Sequence, residues 1–515
     1  MFRNIRVILP VLVIMLAIIL RFYKFGEFVT FLGDQGRDAI IIKRIVTLEH
    51  FPAIGAPSSL GQIFLGPFYY YLISPFLLLF NFNPVGPAFG VAFISIGGII
   101  TSYFVIKKEI NYLTALVFLV FASFSTVNVQ FSRFSWNPNL LPVFSFLTIY
   151  FFYKTLAQKN KLHALLFGAF LSFSIQLHHL AILLFLPITS IYLYYFIRHS
   201  GKRGTSASRI VVQNELRFRT SYNPFRDRND IINLTLSFGS FLFFSLPLLI
   251  FDLRHNFLNT RNIFNFFLVG NPTDRGQFFA RFLETNKSFY SYVFQINFNT
   301  YLAFLITAAF IIFIFRKFQF KKYLFIYINL LVFISYLFFF SFFNTIRNPH
   351  YYNSIYFSFF LLLAWTITNI LKTKLIKLLA LLFVVLAYIF LNLKSLSYLF
   401  YAKGNNQIKK AEIIAESILQ KVPQIPFQTI ALPYVETDGH IRYYLEIKGK
   451  RPLPADTLQE PLELYVLCFE KDCQVLGNPQ WQIASFKDAE VDKIWTVEGV
   501  KIYKLIHNNS LDIRN

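Results

Sequence analysis

Apolar residues run in long, nearly charge-free blocks up to about residue 397 and thin out beyond it. The first block, Val7–Leu20, follows Arg3 and Arg6, and no small-residue cleavage site comes after it, so it predicts an uncleaved membrane anchor. Further blocks lie at 88–106, 112–127, 139–153, 162–178, 180–197, 231–251, 300–315, 323–343, 353–371 and 375–395. Blocks of roughly 14 to 21 apolar residues, repeated along a chain, predict membrane-spanning helices. The expected fold is a polytopic α-helical membrane protein with about 11–13 transmembrane helices.

Polar residues between the blocks assign the sides. The segment 198–230 carries eight Lys and Arg against three acids, which makes it cytoplasmic by the positive-inside rule. Lys107–Lys108, Lys154–Lys161, Arg316–Lys322 and Lys372–Lys377 fall on the same side when spans are counted. Segments 24–87, 128–138, 178–179, 252–299 and 344–352, together with 398–515, then face outside. Residues 64–80 are apolar enough to span, but a crossing there would invert everything downstream. The run therefore reads as a helix lying in or dipping into the outer interface, where Tyr69, Tyr70 and Tyr71 fit.

The pattern changes in the tail. An amphipathic helix is expected at 405–421, strands at Thr429–Leu432, Leu462–Cys468 and Val500–Ile506, and a helix around Gly439–Glu446. This gives two domains: a membrane domain over 1–397, with 24–87 as its first outer loop, and an extracytoplasmic α/β domain over 398–515.

Composition sharpens the division. Of 515 residues, 55% are hydrophobic and 15% charged, which excludes a disordered chain and an ordinary soluble enzyme. The net charge of +23 belongs to the membrane part: residues 1–397 hold 35 basic against 11 acidic residues, and the tail holds 14 against 15. Orientation of loops explains this excess better than nucleic acid, so no nucleic-acid partner is expected. Cys468 and Cys473 are too few for a disulfide scaffold, and geometry decides whether they pair. Walker, HExxH, CxxC and GxSxG motifs are absent from the sequence.

The acids of the membrane part avoid mid-span positions and several collect outside, most tightly in Gly33-Asp34-Gln35-Gly36-Arg37-Asp38. On a helix, Asp34 and Asp38 share one face, and Gly33 and Gly36 leave room for a ligand. The competing reading is that Asp34 only caps the helix that follows. Phe251-Asp252-Leu253-Arg254-His255-Asn256 follows a span directly. There Arg254 offers a planar fork for a phosphate, or simply snorkels to the head groups. Smaller groups on the same side are Gln176-Leu177-His178-His179, Ser132-Arg133-Phe134-Ser135-Trp136-Asn137-Pro138-Asn139 and Arg347-Asn348-Pro349-His350-Tyr351-Tyr352. Adjacent histidines rarely converge on one ion, so hydrogen bonding or a phosphate-facing role suits His178 and His179 better than a metal.

The order of these motifs resembles the GT-C fold glycosyltransferases, the superfamily of protein O-mannosyltransferases and the lipid A aminoarabinose transferase. The resemblance covers about residues 1–400 and rests on the acidic first loop, Gly66-Pro67-Phe68-Tyr69-Tyr70, Ser132-Arg133, His179-Leu180-Ala181 and the final outer domain. Two departures stand out: Asp34 is followed by Gln35 where the family has Glu, and Gly66-Pro67 replaces Pro-Pro.

The resemblance implies a polyprenyl-phosphate sugar as donor and a hydroxyl acceptor on a protein, lipid or polysaccharide, with no metal or other cofactor. It makes Asp34 the expected general base and Asp38 its supporting acid. Arg254 and His255 are then expected at the donor phosphate, with Arg133, His179 and Arg347 as further candidates. Arg37, Tyr69, Tyr70, His178, Trp136 and His350 are expected to line the substrate. The outer domain is expected to present the acceptor or cover the site. A lipid-linked sugar flippase or transporter would need a charged cavity within the bilayer, which these spans do not supply. A polysaccharide ligase or polymerase would share the donor but depend less on a first-loop Asp.

Overall fold

The structure is a computed structural model and describes residues 2–58, 63–200, 228–269, 277–316, 322–370, 374–421 and 426–508. The basic segment 201–227, together with Lys317, Lys321 and Lys372, lies outside these residues.

The chain opens with α1 (Phe2–Phe22), followed by α2 (Phe25–Phe28), α3 (Gly33–Val46) and α4 (Phe68–Leu79). A run of apolar helices follows: α5 (Val85–Glu109), α6 (Tyr112–Phe124), the short α7 (Thr126–Phe131), α8 (Leu141–Gln158), α9 (Lys161–Leu177) and α10 (Phe185–Ser200). Then come α11 (Arg228–Arg254), α12 (Leu258–Val269), α13 (Phe278–Phe294), α14 (Thr300–Arg316), α15 (Leu324–Phe340), α16 (Tyr356–Ile370) and α17 (Lys374–Leu396). Each block expected to span the membrane coincides with one of these helices, with 3-10 turns at Asn137–Leu140 and His179–Leu184 leading into α8 and α10. Five described helices have the length and composition to cross a bilayer by themselves, and seven shorter apolar helices accompany them. The protein is a multi-pass membrane protein. Large apolar side chains of α1, α11, α14 and α17 remain exposed, as lipid-facing surfaces require.

Helix α4 has 12 residues, or about 18 Å at 1.5 Å per residue, too short to cross a hydrocarbon core of about 30 Å. The expected interfacial cluster is only partly so: Tyr69 and Tyr70 are buried in the protein, and Tyr71 is exposed. The expected loop 252–299 differs more. It contains α12 and α13, and α13 buries Phe289, Tyr290 and Val293 in the main core, with Tyr290 Oη 2.9 Å from Thr307 Oγ1.

Two buried arginines close the ends of helices. Arg21 donates to the carbonyls of Ala17, Ala122 and Ser123, at the ends of α1 and α6. Arg133 donates to the carbonyls of Leu20, Arg21 and Tyr23. A guanidinium is suited to this work because the last carbonyls of a helix are unpaired and carry the negative end of its dipole.

One face of the bundle gathers the segments that charge and parity placed together. Ser135 meets Tyr69, Trp136 meets His350, Asn137 bonds to Leu177 O, and Asn353 bonds to Pro138 O. Asn259 clamps the backbone of Phe64 from both sides, accepting from its N–H at 2.9 Å and donating to its C=O at 3.0 Å. The opposite face carries Asn111 and Asn160, which cap α6 and α9, and the Lys154–Glu109 ion pair at 2.9 Å.

The C-terminal segment adds α18 (Tyr398–Tyr401), α19 (Gln407–Leu419), α20 (Gly439–Ile447) and α21 (Trp481–Ala484), with β1 (Phe427–Leu432), β2 (Glu463–Cys468), β3 (Ala489–Val497) and β4 (Val500–His507). The sheet runs β1-β2-β4-β3, with β1 parallel to β2 and the other pairs antiparallel. Strand β3 was not expected; it is an edge strand with mostly exposed or half-buried residues, among them Glu490, Asp492 and Lys493. Cys468 and Cys473 form a disulfide, with Cα atoms 6.0 Å apart.

Candidate active site

Helix α3 begins at Gly33, with Leu32 as its N-cap. Asp34 is therefore inside the first turn and does not cap the helix. Gln35 Oε1 instead accepts from Leu32 N at 3.1 Å. An acid in the first turn still gains from the helix dipole.

Arg37 joins the two acids of this helix. Its Nη1 lies 2.9 Å from Asp34 Oδ1, and its Nη2 and Nε lie 2.9 and 3.0 Å from Asp38 Oδ1. The environments of the acids differ sharply: the Asp34 side chain is 55% exposed and the Asp38 side chain 1%. Tyr70 Oη donates to Asp38 Oδ1 at 3.0 Å, while Asp38 Oδ2 is buried and has no hydrogen-bond partner among the described residues. Burial pushes the Asp38 carboxyl upward, and the Arg37 charge and hydrogen bonds offset part of that rise. The pair thus contains one locked carboxylate and one open to an incoming group.

From Asp38 a polar seam runs across the face. Tyr70 leads to Tyr69, whose hydroxyl is 2.6 Å from Ser135 Oγ. The next residue, Trp136, has its ring 4.8 Å from that of His350, which lies 6.0 Å from His178. His178 Nδ1 accepts from Leu180 N at 3.2 Å, which places a neutral ring's proton on Nε2. Arg37, Tyr69, Tyr70, Trp136, His178 and His350 thus lie along one seam, contributed by four of the segments placed outside.

Other expected residues take different places. Arg133 is spent on the carbonyls at the end of α1 and packs over Phe25 and Phe28, so its expected place at a donor phosphate is corrected to a helix-closing one. Arg347 is corrected likewise. It donates to Thr285 Oγ1, Thr345 O and Phe343 O and lies over the Phe340 ring. His179 approaches the backbone of Ile63 and leaves Nε2 buried without a partner.

Arg254 and His255 form a separate corner at the end of α11. The His255 ring stacks on Phe251 at 4.1 Å, and Phe251 packs on Phe64 of the first loop. Asp252 is turned inward, accepting from Asn259 N at 2.7 Å and from Thr260. Arg254 is exposed and makes no hydrogen bond or ion pair among the described residues.

The glycines serve protein contacts. Gly33 and Gly36 do not open the backbone to a ligand: a methyl group at Gly33 would overlap Thr437, and one at Gly36 would overlap the backbone of Gly439 and His440. Gly66, in the place of the family's first Pro, faces Gln176, whose Oε1 accepts from Phe68 N at 3.3 Å and whose Nε2 donates to Phe244 O at 2.9 Å. Sequence reasoning gave Gln176 no role of its own, because its part in pinning α4 to α11 depends on partners distant in sequence.

In fold, and over part of the chain in sequence, the protein resembles membrane glycosyltransferases of GT-C type. Residues 65–212 match the family model of the dolichyl-phosphate-mannose-protein mannosyltransferases. The whole chain shares its fold with the crystal structures of ArnT from Cupriavidus metallidurans, in the apo state at a TM-score of 0.59 and bound to undecaprenyl phosphate at 0.57. Sequence identity is 13% in both cases, with 96% of this chain and 97% of the other covered. No curated protein matches. Both likenesses fall in the superfamily that the motif order indicated.

Proposed function

We propose that this protein transfers a sugar from a polyprenyl-phosphate donor to an acceptor hydroxyl at the extracytoplasmic face of the membrane, with Asp34 as general base. The observation that carries this reading is the pairing of an open and a buried carboxylate on one arginine at the start of α3. The acceptor oxygen attacks the anomeric carbon as its proton passes to Asp34. The bond from that carbon to the phosphate oxygen breaks, and its electron pair leaves with the polyprenyl phosphate. A single displacement inverts the anomeric centre, whereas retention would require a carboxylate nucleophile. Tyr70 holds Asp38, Asp38 holds Arg37, and Arg37 orients Asp34 by donating to its Oδ1.

The leaving phosphate needs cationic donors to stabilise it rather than an acid to protonate it. Arg254 is a cation among the described residues that is free to do this, with His255 beside it, at a corner joined through Phe251 and Asn259 to the loop that leads into α4. The neighbour named as bound to undecaprenyl phosphate supports a lipid of this chemistry. Binding of undecaprenyl phosphate to purified protein in lipid tests the division of labour. Arg254→Ala is expected to weaken binding by about 10- to 100-fold, corresponding to loss of a charge-assisted hydrogen bond of about 1.5–3 kcal/mol. Asp34→Asn is expected to bind as the unaltered protein does. Equal binding by the Arg254→Ala variant would remove Arg254 from the site.

A further inference from the structure

The C-terminal segment touches the acid-bearing helix itself. At the crossing of α3 and α20, each helix presents glycine to the other. A methyl group on Gly439 would overlap the carbonyl of Gly33 and crowd the amide of Arg37. One on Gly36 would overlap the backbone of Gly439 and His440. Thr437, just before α20, fills the space above Gly33. Backbones approach this closely only where no Cβ intervenes.

Both ends of α3 are then tied to the same segment. Before the helix, Phe31 N donates to Gln407 Oε1 at 2.9 Å, and the Phe31 ring packs edge-on against His440, Tyr443 and Tyr444. At the far end, the buried carboxylate of Glu446 receives Arg44 through Nη2 at 2.9 Å and Nε at 3.2 Å, Lys43 at 3.4 Å and Arg451 at 2.8 Å. Tyr443 Oη donates to Phe82 O, which fixes α20 to the chain beyond α4 as well.

We propose that α20 is a positioning element of the active site, seated on Gly33 and Gly36 so that it sets the placement of the turn carrying Asp34, Arg37 and Asp38. This rests on the assignment of those residues to the reaction. The C-terminal domain is then a working part of the transferase and not only a cover or an acceptor platform. Gly439 and Glu446 touch no substrate; they act through α3. A displacement of α3 by about 1 Å is enough to lower turnover by roughly 100-fold, because the base must meet the acceptor at attack distance.

The test compares Gly439→Ala with Ile483→Ala in full-length protein in lipid. Ile483 belongs to a separate core on the sheet that includes Val475 and Phe486, away from α20. Gly439→Ala is expected to lower kcat per folded molecule by roughly 10- to 100-fold with donor binding within about twofold of the unaltered protein. It is also expected to speed amide exchange over residues 33–46. Ile483→Ala is expected to lower the melting temperature and leave kcat and α3 exchange unchanged. An unchanged kcat or unchanged α3 exchange in Gly439→Ala, or an equal loss of kcat in both variants, would overturn the proposal. Asp34→Asn is run beside them. Full turnover in that variant would instead overturn the site assignment, and exchange over 33–46 would still judge the seating of α20.

Discussion

Three arginines on one face of the bundle illustrate how residue type alone underdetermines role. Arg133, Arg254 and Arg347 were all expected at a phosphate, yet two of them are occupied by backbone carbonyls and one is free. Their loss should therefore read out differently. Arg133→Ala leaves the carbonyls of Leu20, Arg21 and Tyr23 without their donor, and unpaired buried groups cost about 1–3 kcal/mol each. Thermal unfolding in detergent should show a clear loss of stability for Arg133→Ala, with undecaprenyl phosphate affinity per folded molecule unchanged. Arg254→Ala should show the reverse. The distinction was illegible in sequence because the partners of Arg133 lie more than 100 residues upstream. Asp34 and Asp38 were legible as a pair because helical spacing puts them on one face. Their division into an open and a buried acid was not, since Tyr70 comes from another helix.

At the scale of elements, each expected block coincides with a described helix, because a bilayer demands long uncharged runs whatever the tertiary partners. Helix α13 escaped notice because Arg281, Glu284 and Lys287 break its apolar residues into short runs, and β3 because an edge strand needs little apolar alternation. The contact of α20 with α3 joins residues some 400 positions apart and could not be read from either segment. It has a pH dependence. Burial pushes the His440 imidazole down to about 4 from 6.5, with Asp438 offsetting part of the fall. If α20 lifts from α3, His440 regains its ordinary affinity for a proton. Between pH 6.5 and 4 the lifted form therefore binds a proton that the docked form excludes, and docking weakens as pH falls, by about 3 kcal/mol at the lower end. Burial raises the Glu446 carboxyl, but Arg44, Arg451 and Lys43 together hold it below its ordinary value. Its contribution is present above the ordinary carboxylate range and is lost as pH falls through its lowered value. Amide exchange over 439–447, corrected for intrinsic rates, should quicken from pH 6.5 to 4 and lose most of that trend in His440→Phe. A flat profile in the unaltered protein would contradict the account.

For the whole molecule, the loops placed on one side by counting spans do converge on one face, and they bring the acids, the histidine seam and the C-terminal sheet with them. Charge and parity made that relation legible without any knowledge of packing. The side of the membrane it faces is a separate matter that labelling decides. In a Cys468→Ser/Cys473→Ser background, an impermeant maleimide should label Glu460→Cys in intact cells and Lys108→Cys only after permeabilisation. The reverse pattern would turn the proposed site to the cytoplasm.

The central claim, lipid-dependent sugar transfer with Asp34 as base, is tested most directly by single turnover in proteoliposomes. Protein is loaded with radiolabelled polyprenyl-phosphate hexose and given membrane extract as acceptor, and label leaving the prenyl lipid is measured. The account predicts rapid loss of label with the unaltered protein and a rate lower by about 100-fold or more with Asp34→Asn, in the range expected for removal of a general base. Equal rates for the two would contradict it.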